Sequence, residues 1–183
     1  MEEVLLLLRF CLGYLFASTF FAKWNNLLTH ESVVKEYQIV PKAMVRPFVR
    51  IDLLLQLCVA VSFLFGLFLP TGAVIAIILL VLYSAAIMIN LARGRREISC
   101  GCGGLAGNHT LSWALVIRNV CLIASSALLF LPEARTLFSL EHYIFNGSLN
   151  VNWQVVPIVL ASAMLALVGS AFQLVFQIRK EIG

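Results

Sequence analysis

Five stretches of about twenty apolar residues dominate this 183-residue chain, at residues 4–22, 51–69, 71–92, 111–131 and 153–178. A helix rises 1.5 Å per residue, so roughly twenty such residues cross a hydrocarbon core about 30 Å thick. With 61% hydrophobic and 12% charged residues and a mean hydropathy of +0.97, the chain carries more apolar surface than an aqueous core of this size can bury. Lipid is therefore part of its solvent. Hydrocarbon offers the backbone no partners, so spanning segments must be helices or a closed barrel, and long unbroken apolar runs fit helices. The expected fold is all-α: a polytopic transmembrane bundle with a four-helix core over residues 1–131, an outer interfacial loop over 132–152, and a fifth span with a short basic tail over 153–183. The lead Met1-Glu2-Glu3 is acidic and Arg9 interrupts the first apolar run, which argues against a cleaved secretory signal.

Connections between the spans are short. Pro70-Thr71-Gly72 alone punctuates the second and third, predicting a tight helical hairpin. In the first connection, residues 30–39 place Val33, Val34 and Tyr37 at helical spacing and stop before Pro41, which predicts a short amphipathic connector on the membrane surface. The third connection, with Leu137, Phe138 and Tyr143, suits the interface.

The net charge of +4 does not point to nucleic acid, because the basic residues cluster at span ends. One side of the membrane receives Lys23, Lys35, Lys42, Arg46, Arg50, Arg93, Arg95, Arg96, Arg179 and Lys180, the other Arg135 alone. That side is expected to be cytoplasmic, with the amino terminus outside and the carboxyl terminus inside. Trp24, Trp113 and Trp153 sit near span ends, as interface anchors do.

Chemistry concentrates in the second connection. Cys100-Gly101-Cys102 sets two thiols one residue apart in a glycine-rich turn, preceded by Arg93, Arg95 and Arg96. A disulfide needs its Cα atoms within roughly 4.4–6.8 Å, which alternate residues reach only where the chain bends, and Gly101 permits the bend. So small a ring is strained, which makes the bond exchangeable, while nearby guanidinium groups favour the attacking thiolate. Two other readings stay open: a turn with inert thiols, or Cys100, Cys102 and His109 as ligands for Zn or Cu(I). Cys11, Cys58 and Cys121 lie in apolar runs as small hydrophobes do, although Cys121, one turn below Arg118, is also placed to relay electrons.

Intramembrane charge is the second signal, because an ionisable group in hydrocarbon costs at least ~2.5 kcal/mol unless paired or wetted. Asp52 opens the second span with Gln56 one turn deeper on the same face, and Arg118 lies two turns into the fourth. Asp52 and Arg118 are expected to meet inside the bundle, either as a structural ion pair that fixes helix register or with a role in proton movement or thiolate stabilisation. Arg9 is expected to reach the opposite interface or pair with Glu2, Glu3 or Glu133.

Arg9, Gly13, Lys23, residues 37–41, Asp52, Gly66, Arg93-Gly94, Cys100-Gly101-Cys102, Gly104, Trp113 and Arg118-Asn119 together resemble the MauE branch of the MauE/DoxX membrane protein family. The resemblance covers residues 1–131, with the Cys-Gly-Cys segment its most specific part. Gly103 stands where the family often has an aromatic residue, and Asp52 where it often has Glu. The resemblance implies a bacterial inner-membrane bundle concerned with thiol and disulfide chemistry. Cys100 and Cys102 would exchange electrons with a thioredoxin-like partner or a quinone, supporting an exported, disulfide-containing client such as the small subunit of methylamine dehydrogenase. A non-enzymatic assembly factor or a Cu or Zn carrier is the alternative it leaves.

Overall fold

In the computed structural model, residues 2–101, 110–131, 157 and 159–164 are described. Among them are five α-helices: α1 (Glu2–Asn25), α2 (Leu27–Tyr37), α3 (Val45–Phe65), α4 (Leu69–Ala92) and α5 (Trp113–Leu128), with a 3-10 turn at Lys42–Met44 before α3. The described residues contain no strand, only an isolated antiparallel bridge between Ser99 and Thr110.

Among the described residues, three helices are long and apolar enough to cross a membrane: Glu3–Asn25, Lys42–Phe65 and Leu69–Ala92. The fourth expected span is a shorter apolar helix, the 16 residues of α5, followed by turn residues to 130. Within the fifth, residues 157 and 159–164 are helical and Val159 packs against Leu6 and Phe10 of α1. The remainder of that span and the expected loop over 132–152 lie outside the described residues. The second span begins earlier than its apolar run, because Arg46, Pro47 and Arg50 occupy the first turns of α3. Pro is tolerated there, where its missing N–H has no helical partner.

The hairpin between α3 and α4 forms where expected, slightly earlier in the chain: Gly66, at φ 67°, ends α3 in the left-handed conformation, and Pro70 lies in the first turn of α4. α1 packs mainly on α3, and α4 mainly on α5. Leu12 and Phe16 of α1 meet Val59 and Phe63 of α3 and Ala76 of α4 in the main core. Gly13 brings α1 and α3 into close approach, since a Cβ on it would lie 2.9 Å from the Leu64 side chain.

The apolar core also encloses polar side chains, while large apolar side chains face outward. Arg9, Lys23, Asp52, Gln56, Asn90 and Asn119 are buried, whereas Leu54, Val61, Ile78, Leu82, Ile117 and Val120 are exposed. Apolar surface outside and ionisable groups turned inward is the arrangement hydrocarbon solvent selects. Arg9 does not reach an interface: it is 0% exposed, with its guanidinium 5.2 Å from the centroid of the Phe10 ring. Trp24 and Trp113 are exposed at helix ends, as expected of anchors.

Candidate functional site

The end of α1, all of α2, the start of α3 and the end of α4 converge at one end of the bundle. Their buried polar side chains form one cluster. Lys23 Nζ lies 3.0 Å from Asp52 Oδ2, with side-chain exposures of 6% and 4%. The same oxygen accepts from Gln56 Nε2 at 2.9 Å and lies 3.4 Å from His30 Nε2, while Tyr83 donates its hydroxyl proton to Asp52 Oδ1. Gln56 also donates to the Tyr83 hydroxyl oxygen at 2.7 Å, and Lys23 Nζ sits 4.9 Å from the centroid of the Tyr83 ring. Four helices therefore converge on one carboxylate. A buried carboxylate stays charged only when paired and hydrogen-bonded, and Asp52 is both.

Asp52 and Gln56 share a face one turn apart, as their spacing indicates. The partner of Asp52, however, is Lys23 and not Arg118. Helix α3 turns Asp52 toward α1 and α2, where Lys23 and His30 reach it first. Arg118 instead borders a small cavity of about 30 Å³ behind the cluster, together with Lys23, Gln56, Tyr83 and Asn119. Lys23, counted in the sequence among residues that set topology, is the counter-ion of Asp52.

Above the cluster lies a larger cavity of about 190 Å³, walled by α2 (His30, Val33, Tyr37), by Phe48 of α3 and by Leu82 and Ile87 of α4. Lys23, Asp52 and Tyr83 line it from one side, and Cys100 and Gly101 from another. For comparison, an apolar cavity of about 150 Å³ accommodates benzene. Helix α2 is thus no plain connector. It forms a wall of the site, held to α3 by Glu31 Oε2, 3.7 Å from Arg46 Nε.

The turn bearing Cys100 is seated on this wall. Tyr37 donates to the Cys100 carbonyl at 3.3 Å, and Gly101 donates its N–H to Ser99 Oγ at 3.3 Å. Gly101 has φ +66°, and a Cβ there would stand 2.9 Å from Val33 Cγ1 and 3.7 Å from His30 Nδ1. Backbone conformation and space both require glycine. The Ser99–Thr110 bridge and the Leu111 N–H to Ile98 carbonyl bond at 3.1 Å draw the two ends of the loop together. Cys102, Gly103, Gly104 and His109 lie outside the described residues.

The three arginines are not equivalent. Arg95 donates to Gln38 Oε1 at 2.6 Å and to the Glu36 carbonyl at 3.5 Å, tying the loop to the end of α2. Arg93 and Arg96 are exposed and do not line the cavity. Cys121 is exposed on the outer surface of α5, which does not suit an inward relay from Cys100. His30 and Tyr83 went unnoticed in the sequence. The usable signal for His30 was its place two turns before Tyr37 on an amphipathic helix; Tyr83 carries none within its apolar run.

The profile of the family described as "Methylamine utilisation protein MauE" matches residues 1–132. The chain is 32% identical over 121 residues to "Methylamine utilization protein MauE" of Paracoccus denitrificans, covering 66% of this chain and 65% of that protein. It is 41% identical over 91 residues to the protein of the same description from Methylorubrum extorquens, covering 48% of this chain and 47% of that one. With the protein of that description from Paracoccus versutus it shares 32% identity over 130 residues, 70% of each. The matched region thus spans from about half to about two thirds of these curated relatives. No solved structure matches the chain.

Proposed function

The chain belongs to the MauE family, and from that premise we propose that it is a bacterial inner-membrane thiol–disulfide redox protein serving methylamine utilisation. Cys100 and Cys102 cycle between dithiol and disulfide. Oxidation forms their S–S bond and releases two electrons and two protons, which pass to the disulfide of a thioredoxin-like protein, giving its dithiol, or to a quinone, giving the hydroquinone. The client is an exported protein with disulfides, for which the small subunit of methylamine dehydrogenase is the leading candidate.

One observation carries this reading: the turn bearing Cys100 is seated at the rim of a cavity that also contacts a buried acid–base cluster. A turn needed only for connection has no use for such neighbours. Tyr37, Arg95 and Gly101 hold the turn in place, and Asp52 with Lys23 fixes the helices beneath it. Arg93 and Arg96 contribute positive potential from the exposed side of the loop.

Positive-inside counting sets this end of the bundle in the cytoplasm, whereas the client matures outside. A cavity that runs from Cys100 to Asp52 supports a thiol site reached from within the membrane as well as from its edge.

Redox titration of the purified chain tests the proposal. A two-electron transition that disappears in both Cys100→Ser and Cys102→Ser is expected, with one of the two variants trapping a mixed disulfide with a partner on a non-reducing gel. Thiols that stay reduced throughout the titration overturn it, as do single-cysteine variants that mature the client normally.

A further inference from the structure

His30 presents one ring nitrogen to a carboxylate and the other to the turn that bears Cys100. Nε2 lies 3.4 Å from Asp52 Oδ2. Nδ1 is buried and has no hydrogen-bond partner among the described residues, and it lies 3.7 Å from the point a Cβ on Gly101 would occupy. Ionised Asp52 only accepts hydrogen bonds, so the proton of neutral His30 sits on Nε2 and Nδ1 carries the lone pair. His30 and Cys100 line the same cavity.

We propose that His30, oriented by Asp52, is the acid–base group for thiol exchange at Cys100; the inference rests on the redox reading above. The Cys100 Sγ–H proton passes to Nδ1, leaving a thiolate and an imidazolium whose Nε2–H stays on Asp52. The thiolate's electron pair attacks one sulfur of the partner's disulfide and forms the mixed disulfide. The partner's S–S bond breaks with its electron pair on the departing sulfur, and that sulfur takes the proton back from Nδ1. Atoms and charge balance, and His30 returns neutral.

Other charged or titratable groups around the ring come from every element packed there. They are Lys23 of α1, Tyr37 of α2 itself, Asp52 of α3, Tyr83 of α4 and Cys100 in the loop, while Arg118 of α5 borders the smaller cavity behind. Lys23 and Tyr83 are bonded to Asp52, and Tyr37 to the Cys100 carbonyl. Among the described residues, His30 places a ring nitrogen, Nδ1, 3.7 Å from the position a Cβ on Gly101 would take.

The test follows Cys100 alkylation by iodoacetamide, resolved by mass spectrometry, in the reduced full-length chain from pH 5 to 9. Cys121 in the same sample is the internal reference. His30→Gln keeps a donor near Asp52 and removes the Nδ1 base. The rate near neutral pH is expected to fall at least about tenfold in this variant, with loss of the pH step due to the imidazole. A profile that superimposes on the unaltered chain overturns the inference. A second measurement needs no change at His30: NMR titration of its ring is expected to move its midpoint when Cys100 is replaced in Cys100→Ser, because coupled sites shift each other. An unmoved midpoint also overturns it. Redox titration separates the two proposals. A His30 effect without disulfide formation removes the redox reading alone, and disulfide formation with unchanged profiles removes His30 alone.

Discussion

Lys23 on the last turn of α1 and Asp52 near the start of α3 form a buried ion pair, Nζ to Oδ2 3.0 Å, from residues 29 apart in the chain. It fixes the register of the two helices that pack most extensively on each other. Replacing Asp52 by Asn strands the Lys23 ammonium in a buried site, and breaking such a pair costs about 3–5 kcal/mol. Asp52→Asn is expected to lower thermal stability in detergent strongly, and Lys23→Met with Asp52→Leu to recover part of the loss. A double-mutant cycle on unfolding free energies checks it; additive single effects would contradict the pairing.

Gly13 is a packing position. A methyl group there would press on Leu64, whose backbone N lies 3.3 Å away. Gly13→Ala is expected to destabilise the bundle and Gly13→Val to do so more, by about 1–3 kcal/mol for overpacking. Detergent-resistance half-lives of the variants, ranked by side-chain volume, are the measurement.

Gly101 seats the thiol turn on α2. Gly101→Ala adds both the strain of φ +66° and a clash with Val33 Cγ1, so the turn is expected to lift from α2 and Cys100 to react faster with bulky maleimides. Gly101→Ala combined with Val33→Ala should reverse only the steric part. Equal reactivity in all three proteins would remove the seat.

Arg95 is expected to differ from its neighbours. Arg95→Ala removes the bonds to Gln38 and to the Glu36 carbonyl, so limited proteolysis within residues 93–110 should accelerate severalfold. Arg93→Ala and Arg96→Ala, at exposed positions, should leave the cleavage rate unchanged. The comparison by time-course electrophoresis is direct.

The proposed orientation rests on the gathering of Lys35, Lys42, Arg46, Arg50, Arg93, Arg95 and Arg96 at the end of the bundle that bears Cys100. A membrane-impermeant maleimide is expected to label Cys100 in inverted inner-membrane vesicles and not in intact spheroplasts. Labelling from the outside alone would reverse the proposed topology.

Much of this was legible because hydrocarbon imposes constraints that act locally. Apolar runs, the Pro70 signal, the Asp52–Gln56 face and the exposed tryptophans depend only on spacing along the chain. Partner choice does not. Spacing along the chain pairs Asp52 with Arg118 and leaves Lys23 among the topology-setting residues, and only the rotation of α3 against α1 and α2 makes Lys23 the counter-ion. The same rotation brought His30 to the carboxylate and made α2 a wall of the cavity.

By itself, then, the sequence determined that lipid is the solvent, that helices cross it, and that a Cys-Gly-Cys turn lies beside a basic cluster. Composition and periodicity are read one residue at a time, and these properties need nothing more. Tertiary structure alone decided which charges meet, that Arg9 is buried, that Cys121 points outward and that the Cys100 turn rests against His30. Each is a long-range contact set by helix rotation and close approach, where a difference of one residue in facing changes the neighbour.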